Sequence, residues 1–206
     1  MAYQVLIVED QKMPRQLFEI FVQSDPRFAH AGSIANVELA IDFCRQGGID
    51  LILMDVLTEL GSSGLKAAEE IKKDFPRIKV IIVTSMPEAS WLDRARAIGV
   101  DSFWYKEVAK EPILEVMART MAGERIYPDK PPLVHIGCAS NRDFSERELE
   151  VLRELITGDS NAAIGQRLGI AASTVKYHVQ NMLDKTGMHT RTELAAMARS
   201  LGIVIK

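Results

Sequence analysis

The most constraining feature of this sequence is a run of four apolar residues, Leu51 to Met54, that is followed at once by Asp55. A continuous apolar run of this length predicts a strand that is buried on both faces, as in a parallel sheet. Open α/β sheets bind their ligands at the carboxyl ends of the strands. The pattern therefore predicts that Asp55 lies at the ligand-binding edge of a parallel sheet.

A second apolar run, Val5 to Val8, ends in the same way and is followed by Glu9 and Asp10. The two strands would bring three carboxylates to one edge, where a cation is needed to offset their mutual repulsion. Carboxylate oxygens are the ligands that Mg²⁺ prefers. Taken alone, Glu9 and Asp10 are also compatible with a solvated loop, so the interpretation depends on the whole set.

Two further predicted strands end close to Thr84 and Lys106. A hydroxyl and a positive charge beside a carboxylate cluster are suited to binding the oxygens of a phosphoryl group. Each residue alone could equally be a surface residue. Together with the three carboxylates, they predict a site at which a phosphoryl group is placed on Asp55.

Apolar periodicity predicts five strands that alternate with five helices. The strands are predicted at 3–8, 28–34, 51–54, 80–84 and 100–105, and the helices at 12–24, 36–46, 65–75, 89–98 and 111–122. The first helix is expected to carry its apolar pattern through Met13, Leu17, Ile20 and Phe21. Such alternation with short connections favours a right-handed, doubly wound parallel sheet.

Length and composition indicate a protein of two domains, since 206 residues exceed the needs of one small α/β domain. The net charge is −3, and the last 66 residues carry nine basic and eight acidic side chains. Two cysteines are too few for a disulfide framework or a zinc site, which favours a reducing compartment. No run approaches the ~20 apolar residues of a membrane span, so we expect a cytoplasmic protein without membrane contact.

Residues 1–122 resemble the receiver domain of bacterial two-component response regulators. The match is carried by Glu9-Asp10, Asp55, Thr84-Ser85 and the segment Gly99 to Lys106. The resemblance implies a flavodoxin-like five-stranded domain that is not an enzyme. It also implies that Asp55 accepts phosphate from a sensor histidine kinase.

The same resemblance assigns a role to each neighbour of Asp55. Mg²⁺ would be held by Glu9, Asp10, Asp55 and the backbone carbonyl of Leu57. Thr84 and Lys106 would bind the phosphoryl oxygens. Phe103 would be the aromatic residue that turns inward when Thr84 moves toward the phosphate.

The loop 56–64 departs from the family pattern. Receivers carry proline four positions after the phosphoacceptor and glycine eight positions after it, whereas this chain has Glu59 and Ser63, and the glycine follows as Gly64. The longer loop leaves open how fast Asp55 is phosphorylated and how long the acyl phosphate lasts. Apolar Leu57 gives the hypothesis of slow autodephosphorylation, because it could hinder an attacking water.

Residues 123–142 interrupt the periodicity and are predicted to form a linker, semi-extended in its first half. The segment contains Gly123, Pro128, Pro131 and Pro132. Proline stiffens the chain and removes backbone donors. The second domain is expected to span 143–206.

The C-terminal segment shows the pattern of a helix-turn-helix. Ser145 and Glu148 have the spacing of a capping box, and Ser160 can cap a short helix that Gly169 ends. In the next helix Val175, Val179, Met182 and Leu183 share one face, which leaves a polar face outward. Two short helices joined by a glycine turn, the second with a polar outer face, are typical of DNA-binding domains.

Residues 144–204 resemble the LuxR-type domain of the NarL/FixJ class of response regulators. The match is carried by the segments 145–152, 160–161, 174–179 and 191–194. The resemblance implies that Lys176, Tyr177 and Gln180 face the major groove of double-stranded DNA, and that Thr174 and Arg191 approach phosphates. Tyr177 could also be an exposed aromatic residue without a base contact. With little positive charge, one domain should bind DNA weakly, so a homodimer formed through residues 193–201 is expected in the active state.

The sequence therefore predicts a phosphorylation-controlled transcriptional regulator. One alternative is a DNA-binding protein that ignores phosphorylation and whose receiver only dimerises, for which the altered loop is the sole support. An aspartyl-phosphate enzyme such as a haloacid-dehalogenase-type phosphatase is a second alternative, but that class needs an acid where Leu57 stands. A third is control by a small ligand, although the N-terminal half lacks the pattern of an autoinducer pocket.

Overall fold

The computed structural model describes residues 2–56, 63–106 and 112–204. By their contacts, these residues form two compact units. The first comprises 1–85 and 89–130, and the second comprises 86–88 and 131–206. Each unit has its own apolar core.

The first unit is built on a five-stranded parallel sheet with the order β2-β1-β3-β4-β5. The strands are β1 (Tyr3–Val8), β2 (Phe28–Ile34), β3 (Leu51–Asp55), β4 (Lys79–Thr84) and β5 (Ser102–Tyr105). The helices are α1 (Lys12–Ser24), α2 (Ala40–Gln46), α3 (Gly64–Asp74), α4 (Ala89–Ala97) and α5 (Ile113–Met121), and a 3-10 turn, Val37–Leu39, precedes α2. The predicted doubly wound α/β fold is confirmed.

Helices cover both faces of the sheet because alternate strand residues point to opposite sides. Leu6, Ile52 and Ile82 pack with α2, α3 and α4 on one side. On the other side, Ile7 and Leu53 pack with α1 and α5. All five residues of β3 are buried, as expected for a central strand, and β1 pairs with β3 so that Val8 lies beside Met54.

The predicted apolar face of α1 is wrong for three of its four residues, and only Phe21 of the four packs against the core, half-buried. The helix buries Phe18 and Val22, whereas Met13, Leu17 and Ile20 are 82%, 48% and 61% exposed. Both faces of this helix are apolar, so periodicity could not decide which one meets the sheet. The structure thus leaves an apolar face of α1 in contact with solvent.

The second unit contains a short hairpin and four helices. The hairpin strands are β6 (His135–Ile136) and β7 (Ala139–Ser140), and the helices are α6 (Glu146–Leu155), α7 (Asn161–Leu168), α8 (Ala172–Thr186) and α9 (Arg191–Ser200). The capping box of Ser145 and Glu148 and the cap by Ser160 are both present. Gly169 ends α7 with a left-handed conformation that glycine adopts without strain.

The predicted linker 123–142 contains more structure than its prolines suggested. Residues 123–130 belong to the first unit, and 131–142, including the hairpin, belong to the second. Asn141 is buried and fixes the backbone of residues 132–134. Its side-chain amide donates to the Pro132 carbonyl at 2.8 Å, and its side-chain oxygen accepts from Val134 N at 3.0 Å.

No helix in the described part of the chain has both the length and the apolar character required to cross a bilayer.

Candidate functional site

The carboxyl edge of the sheet brings together the three carboxylates that the sequence predicted. Asp55 ends β3, and Glu9 and Asp10 follow β1, the neighbouring strand. Glu9 and Asp55 are buried, and Asp10 is half-buried. One carboxylate oxygen from each residue lies within 4.8 Å of the others.

Lys106 enters this cluster from the end of β5. Its Nζ lies 3.0 Å from Asp55 Oδ2 and also donates to Glu9 Oε2. The second oxygen of Asp55 accepts a hydrogen bond from Val56 N at 2.7 Å. One lysine is therefore shared between two buried carboxylates.

The shared lysine does not fully offset the burial of Asp55. Burial raises the pKa of the Asp55 carboxyl to about 7, against the lowering effect of Lys106 and with a further rise from Glu9. Burial alone would lower the pKa of Lys106, but the charges of Asp55 and Glu9 outweigh that effect and raise it. The cluster thus holds more negative charge than its one cation offsets.

The donor set fits the hard cation that the sequence predicted. Asp10 Oδ1 is buried and has no hydrogen-bond partner among the described residues, which is costly unless a ligand or water satisfies it. Three carboxylates within reach of one point suit Mg²⁺, which prefers oxygen ligands. Leu57, whose carbonyl was predicted as a further ligand, lies outside the described residues.

Thr84 and Phe103 flank the cluster on β4 and β5. Thr84 is buried at the end of β4, and its carbonyl accepts a hydrogen bond from Lys106 N at 2.9 Å. Phe103 is only 1% exposed, and its ring centroid lies 5.0 Å from that of Tyr105. Phe103 is thus packed in the core in this structure, and the inward turn expected of it when Thr84 moves stays a prediction.

Gly64 is a residue whose role the sequence did not reveal. A Cβ at this position would lie 1.8 Å from the backbone oxygen of Asp55, and Gly64 N donates to the Val56 carbonyl at 2.8 Å. The start of α3 can approach the backbone of Asp55 this closely only without a side chain. The glycine was visible in the sequence, but its spacing pointed to loop freedom and not to close packing.

The second unit presents α8 with its polar face outward. Val175, Val179 and Met182 are buried as predicted, whereas Lys176 and Gln180 are exposed and Tyr177 is 63% exposed. The ring of Tyr177 meets that of His178 edge to face, with centroids 5.7 Å apart.

Two predicted DNA contacts have partners of their own in this structure. Gln180 Nε2 donates to Asp184 Oδ1 at 2.8 Å, one helical turn away. Arg191 is half-buried and donates to Asn161 Oδ1 at 2.9 Å and to the Asp159 carbonyl at 2.6 Å. Arg191 therefore links the start of α9 to the start of α7 through these hydrogen bonds. Thr174 is half-buried near the start of α8.

Family models match both units. The model of the response regulator receiver domain matches residues 5–118, and the model of bacterial regulatory proteins of the luxR family matches residues 142–198. The receiver model alone covers more than half of the chain.

Relatives match along nearly the whole length. The response regulator proteins VraR of Staphylococcus epidermidis and Staphylococcus aureus are each 32% identical over 203 residues, which cover 96% of this chain and 97% of the relative.

Solved structures agree with the fold. A structure of RcsB dimers bound to DNA superposes on this chain with a TM-score of 0.64 at 16% identity. The match spans 98% of this chain and 100% of the RcsB chain. A LuxR-family DNA-binding response regulator from Staphylococcus aureus covers 58% of this chain, with 99% of its own length, a TM-score of 0.54 and 26% identity. The chain belongs to the two-component response regulators that join a receiver domain to a LuxR-type DNA-binding domain.

Proposed function

We propose that Asp55 is the phosphoacceptor of this response regulator and that a sensor histidine kinase is the donor. The observation that carries the proposal is that Asp55 is bonded to Lys106 and clusters with Asp10, whose Oδ1 has no hydrogen-bond partner among the described residues. Lys106 would hold one side of an incoming phosphoryl group, and Glu9, Asp10 and Asp55 would hold Mg²⁺ on the other. When bound, the ion screens the charge between the carboxylate and the phosphoryl oxygens.

Transfer needs a nucleophilic carboxylate that is aligned with the phosphorus. A side-chain oxygen of Asp55 forms a bond to phosphorus while the P–N bond of the phosphohistidine breaks, and the leaving imidazole keeps the electron pair. Val56 N and Lys106 fix the orientation of the Asp55 carboxylate. Lys106 and the hydroxyl of Thr84 then bind the oxygens of the transferred group.

The exposed face of α1 is a suitable contact for the kinase. A donor histidine must reach Asp55, so the protein that carries it has to cover the carboxyl edge of the sheet. The apolar side chains of Met13, Leu17 and Ile20 begin three residues after Asp10. We assign this face to the phosphohistidine-bearing domain.

DNA contact is assigned to the outer face of α8. Lys176 is suited to guanine and Gln180 to adenine, while Tyr177 can meet a thymine methyl or a phosphate. Thr174, near the start of α8, and Arg191, at the start of α9, would approach phosphates. Arg191 would then keep its bonds to Asn161 and Asp159 and use its remaining N–H groups.

Dimerisation is assigned to α9. A groove of about 660 Å³ runs between α9 and the end of α6 and is lined by Leu155, Ile156, Ala195, Ala196 and Arg199, among others. Two copies joined here would place two α8 helices on related half-sites and double the phosphate contacts, which offsets the low positive charge of one domain.

The test is phosphorylation of the full chain with acetyl phosphate and Mg²⁺, followed by intact mass and sedimentation. Wild type should gain one phosphoryl group and form a dimer, and Asp55→Asn should do neither. Asp50→Asn, an exposed aspartate just before the same strand, is the matched control and should behave as wild type. Absence of an adduct in wild type, together with unchanged DNA binding, would leave the receiver as a scaffold.

A DNA experiment tests the face of α8 separately. On a duplex selected from a random pool, Lys176→Ala should weaken binding and relax the base preference at one position by about 1–3 kcal/mol. Lys66→Ala, an exposed lysine on α3, is the control and should leave the preference unchanged. An unaltered preference in Lys176→Ala would remove this residue from the base contacts.

A further inference from the structure

A segment that follows α5 runs along the outer edge of β5. β5 is the last strand in the sheet order, so this edge would otherwise expose unpaired backbone groups. Ile126 bridges Ser102 in parallel, its carbonyl accepts from Phe103 N at 2.8 Å, and its N–H donates to Ser102 Oγ at 3.1 Å. The segment therefore extends the sheet by one short step, next to Phe103.

The following residue fastens the same segment to the end of α4. The Tyr127 hydroxyl donates to the Val100 carbonyl at 2.5 Å and lies 3.3 Å from the Ala95 carbonyl. Burial raises the pKa of Tyr127 to about 12, so the hydroxyl keeps the proton that it donates. The guanidinium of Arg96 lies 5.3 Å from the ring centroid and donates to the Pro128 carbonyl at 3.0 Å.

The other end of β5 reaches the phosphoacceptor site. Lys106 directly follows the strand and binds Asp55 through its side chain and Thr84 through its backbone. β5 has only four residues, so about 10 Å of extended chain separate Lys106 from Phe103. A movement of Lys106 or Thr84 therefore reaches β5 close to Phe103, the residue whose N–H is bonded to Ile126.

The hold on this segment is small enough to be reversible. Residues 126–128 are held by a few hydrogen bonds and by the packing of two partly buried side chains, Ile126 and Tyr127, against the core, and the ordering entropy of the segment opposes these contacts. The structure shows the segment fastened to β5 and α4. A second, detached arrangement would gain population if a change in β5 weakened these contacts.

We propose that residues 126–128 form a latch whose release is controlled by the site at Asp55. The latch is fastened while Lys106 binds the bare carboxylate. When a phosphoryl group takes Lys106 and Thr84, β5 shifts against α4 and the bonds of Ile126 and Tyr127 break. The chain free to extend before residue 131 then grows from residues 129–130 to residues 126–130, while Glu124 stays bonded to Arg119. This inference rests on the proposed role of Asp55 in phosphotransfer.

Limited trypsin digestion of the full chain measures the latch directly. Arg125 is exposed, and cleavage after it requires Ile126 and Tyr127 to leave β5 and α4. The next basic residue, Lys130, precedes Pro131 and is a poor site for trypsin. Cleavage at Arg125, followed by intact mass, reports the detached population when opening is fast relative to cleavage.

Two matched pairs of variants separate the latch from general loosening. Tyr127→Phe keeps the ring and loses the donor, so cleavage after Arg125 should rise about fivefold, as expected for one lost hydrogen bond. Tyr3→Phe, at a half-exposed ring on β1, should leave the rate unchanged. Arg96→Ala should raise the rate, whereas Arg94→Ala, at another exposed arginine of α4, should not.

Beryllofluoride with Mg²⁺ tests the coupling, with binding followed by native mass. In wild type, cleavage after Arg125 should rise when the adduct forms, and Asp55→Asn should give neither adduct nor rise. An adduct without faster cleavage would overturn the latch and leave the phosphoacceptor intact. Wild type that forms no adduct would overturn both. Equal cleavage in Tyr127→Phe and wild type would show that the segment is not fastened as described.

Discussion

Two aspartates of the receiver unit are buried to the same degree at opposite edges of one sheet, yet they differ in charge balance. The Asp55 side chain is 8% exposed and that of Asp101 is 6% exposed. Asp101 precedes β5 and accepts hydrogen bonds from Lys72 Nζ at 2.7 Å, Lys79 Nζ at 2.9 Å and Val80 N at 3.0 Å. Asp55 shares its one lysine with Glu9.

The pKa values follow this difference in partners. Burial raises the pKa of both carboxyls, but the hydrogen bonds of Lys72 and Lys79 outweigh it and lower the pKa of Asp101 below its usual value. At Asp55 burial prevails and the pKa rises to about 7. A carboxylate with two lysines stabilises the fold. A cluster of three acids with one lysine has the charge imbalance that suits a cation site, which is the role proposed for it.

Among substitutions that test the difference between Asp55 and Asp101, the largest effect on the free energy of unfolding is expected for Asp101→Ala. The change removes the carboxylate acceptor of two partly buried lysines and of the Val80 N–H, and in the described part of the chain only Lys72 keeps other acceptors, the carbonyls of Pro76 and Ile78. The loss should lower the free energy of unfolding by about 3 kcal/mol. Urea unfolding followed by tryptophan fluorescence reports this unit, because both tryptophans, Trp91 and Trp104, lie in it. Asp42→Ala, which removes an exposed ion pair with Arg45, is the control and should cost less than about 0.5 kcal/mol. A similar loss in both variants would mean that Asp101 is not specially stabilising.

Addition of Mg²⁺ should give the next largest effect. An ion that binds only the folded state raises the free energy of unfolding by about 2.7 kcal/mol at one hundred times its dissociation constant. Wild type should therefore resist urea better with Mg²⁺, and Asp101→Asn should keep the same increment. Asp10→Asn should lose most of it, because Asp10 would supply one of the ligands. An equal increment in Asp10→Asn would place the ion elsewhere.

A smaller effect of opposite sign is expected for Asp55→Asn without Mg²⁺. Asparagine keeps the shape of the side chain but removes one charge from an overcharged cluster, and Lys106 retains Glu9 as its partner. We expect the free energy of unfolding to rise by about 1 kcal/mol. Asp101→Asn should instead lower the free energy of unfolding, so the same substitution should have opposite effects at the two sites. Destabilisation by both changes would show that Lys106 fully offsets the charge of Asp55.

The sequence predicted the acid site well because strand ends fix it. Continuous apolar runs defined β1, β3 and β4, and a parallel sheet brings the residues after such runs to one edge. The gathering of Glu9, Asp10 and Asp55 at that edge is confirmed, and the roles of these residues in phosphotransfer stay a prediction.

Features that depend on tertiary packing were not predictable in this way. The buried face of α1 was assigned wrongly, since two apolar faces compete and only the sheet selects between them. The close approach of Gly64 to the backbone of Asp55 and the hydrogen bonds of Arg191 were not predictable either, because each joins residues of different elements. The same holds for Ile126 at the edge of β5, which no periodicity marks.

The smallest effect is the pH dependence that Asp101 brings to stability. Because its pKa is lower in the folded state than in the unfolded chain, its charge contributes stability above the unfolded value of about 3.9, and the contribution is lost as the pH falls through the folded value. The difference in unfolding free energy between wild type and Asp101→Asn should therefore be constant near neutral pH and shrink below about pH 4. Lys79→Ala removes one of the two cations and should move this loss to higher pH. Urea titrations of the three proteins between neutral and acidic pH measure it, and a difference that grows on acidification would contradict the role assigned to Lys72 and Lys79.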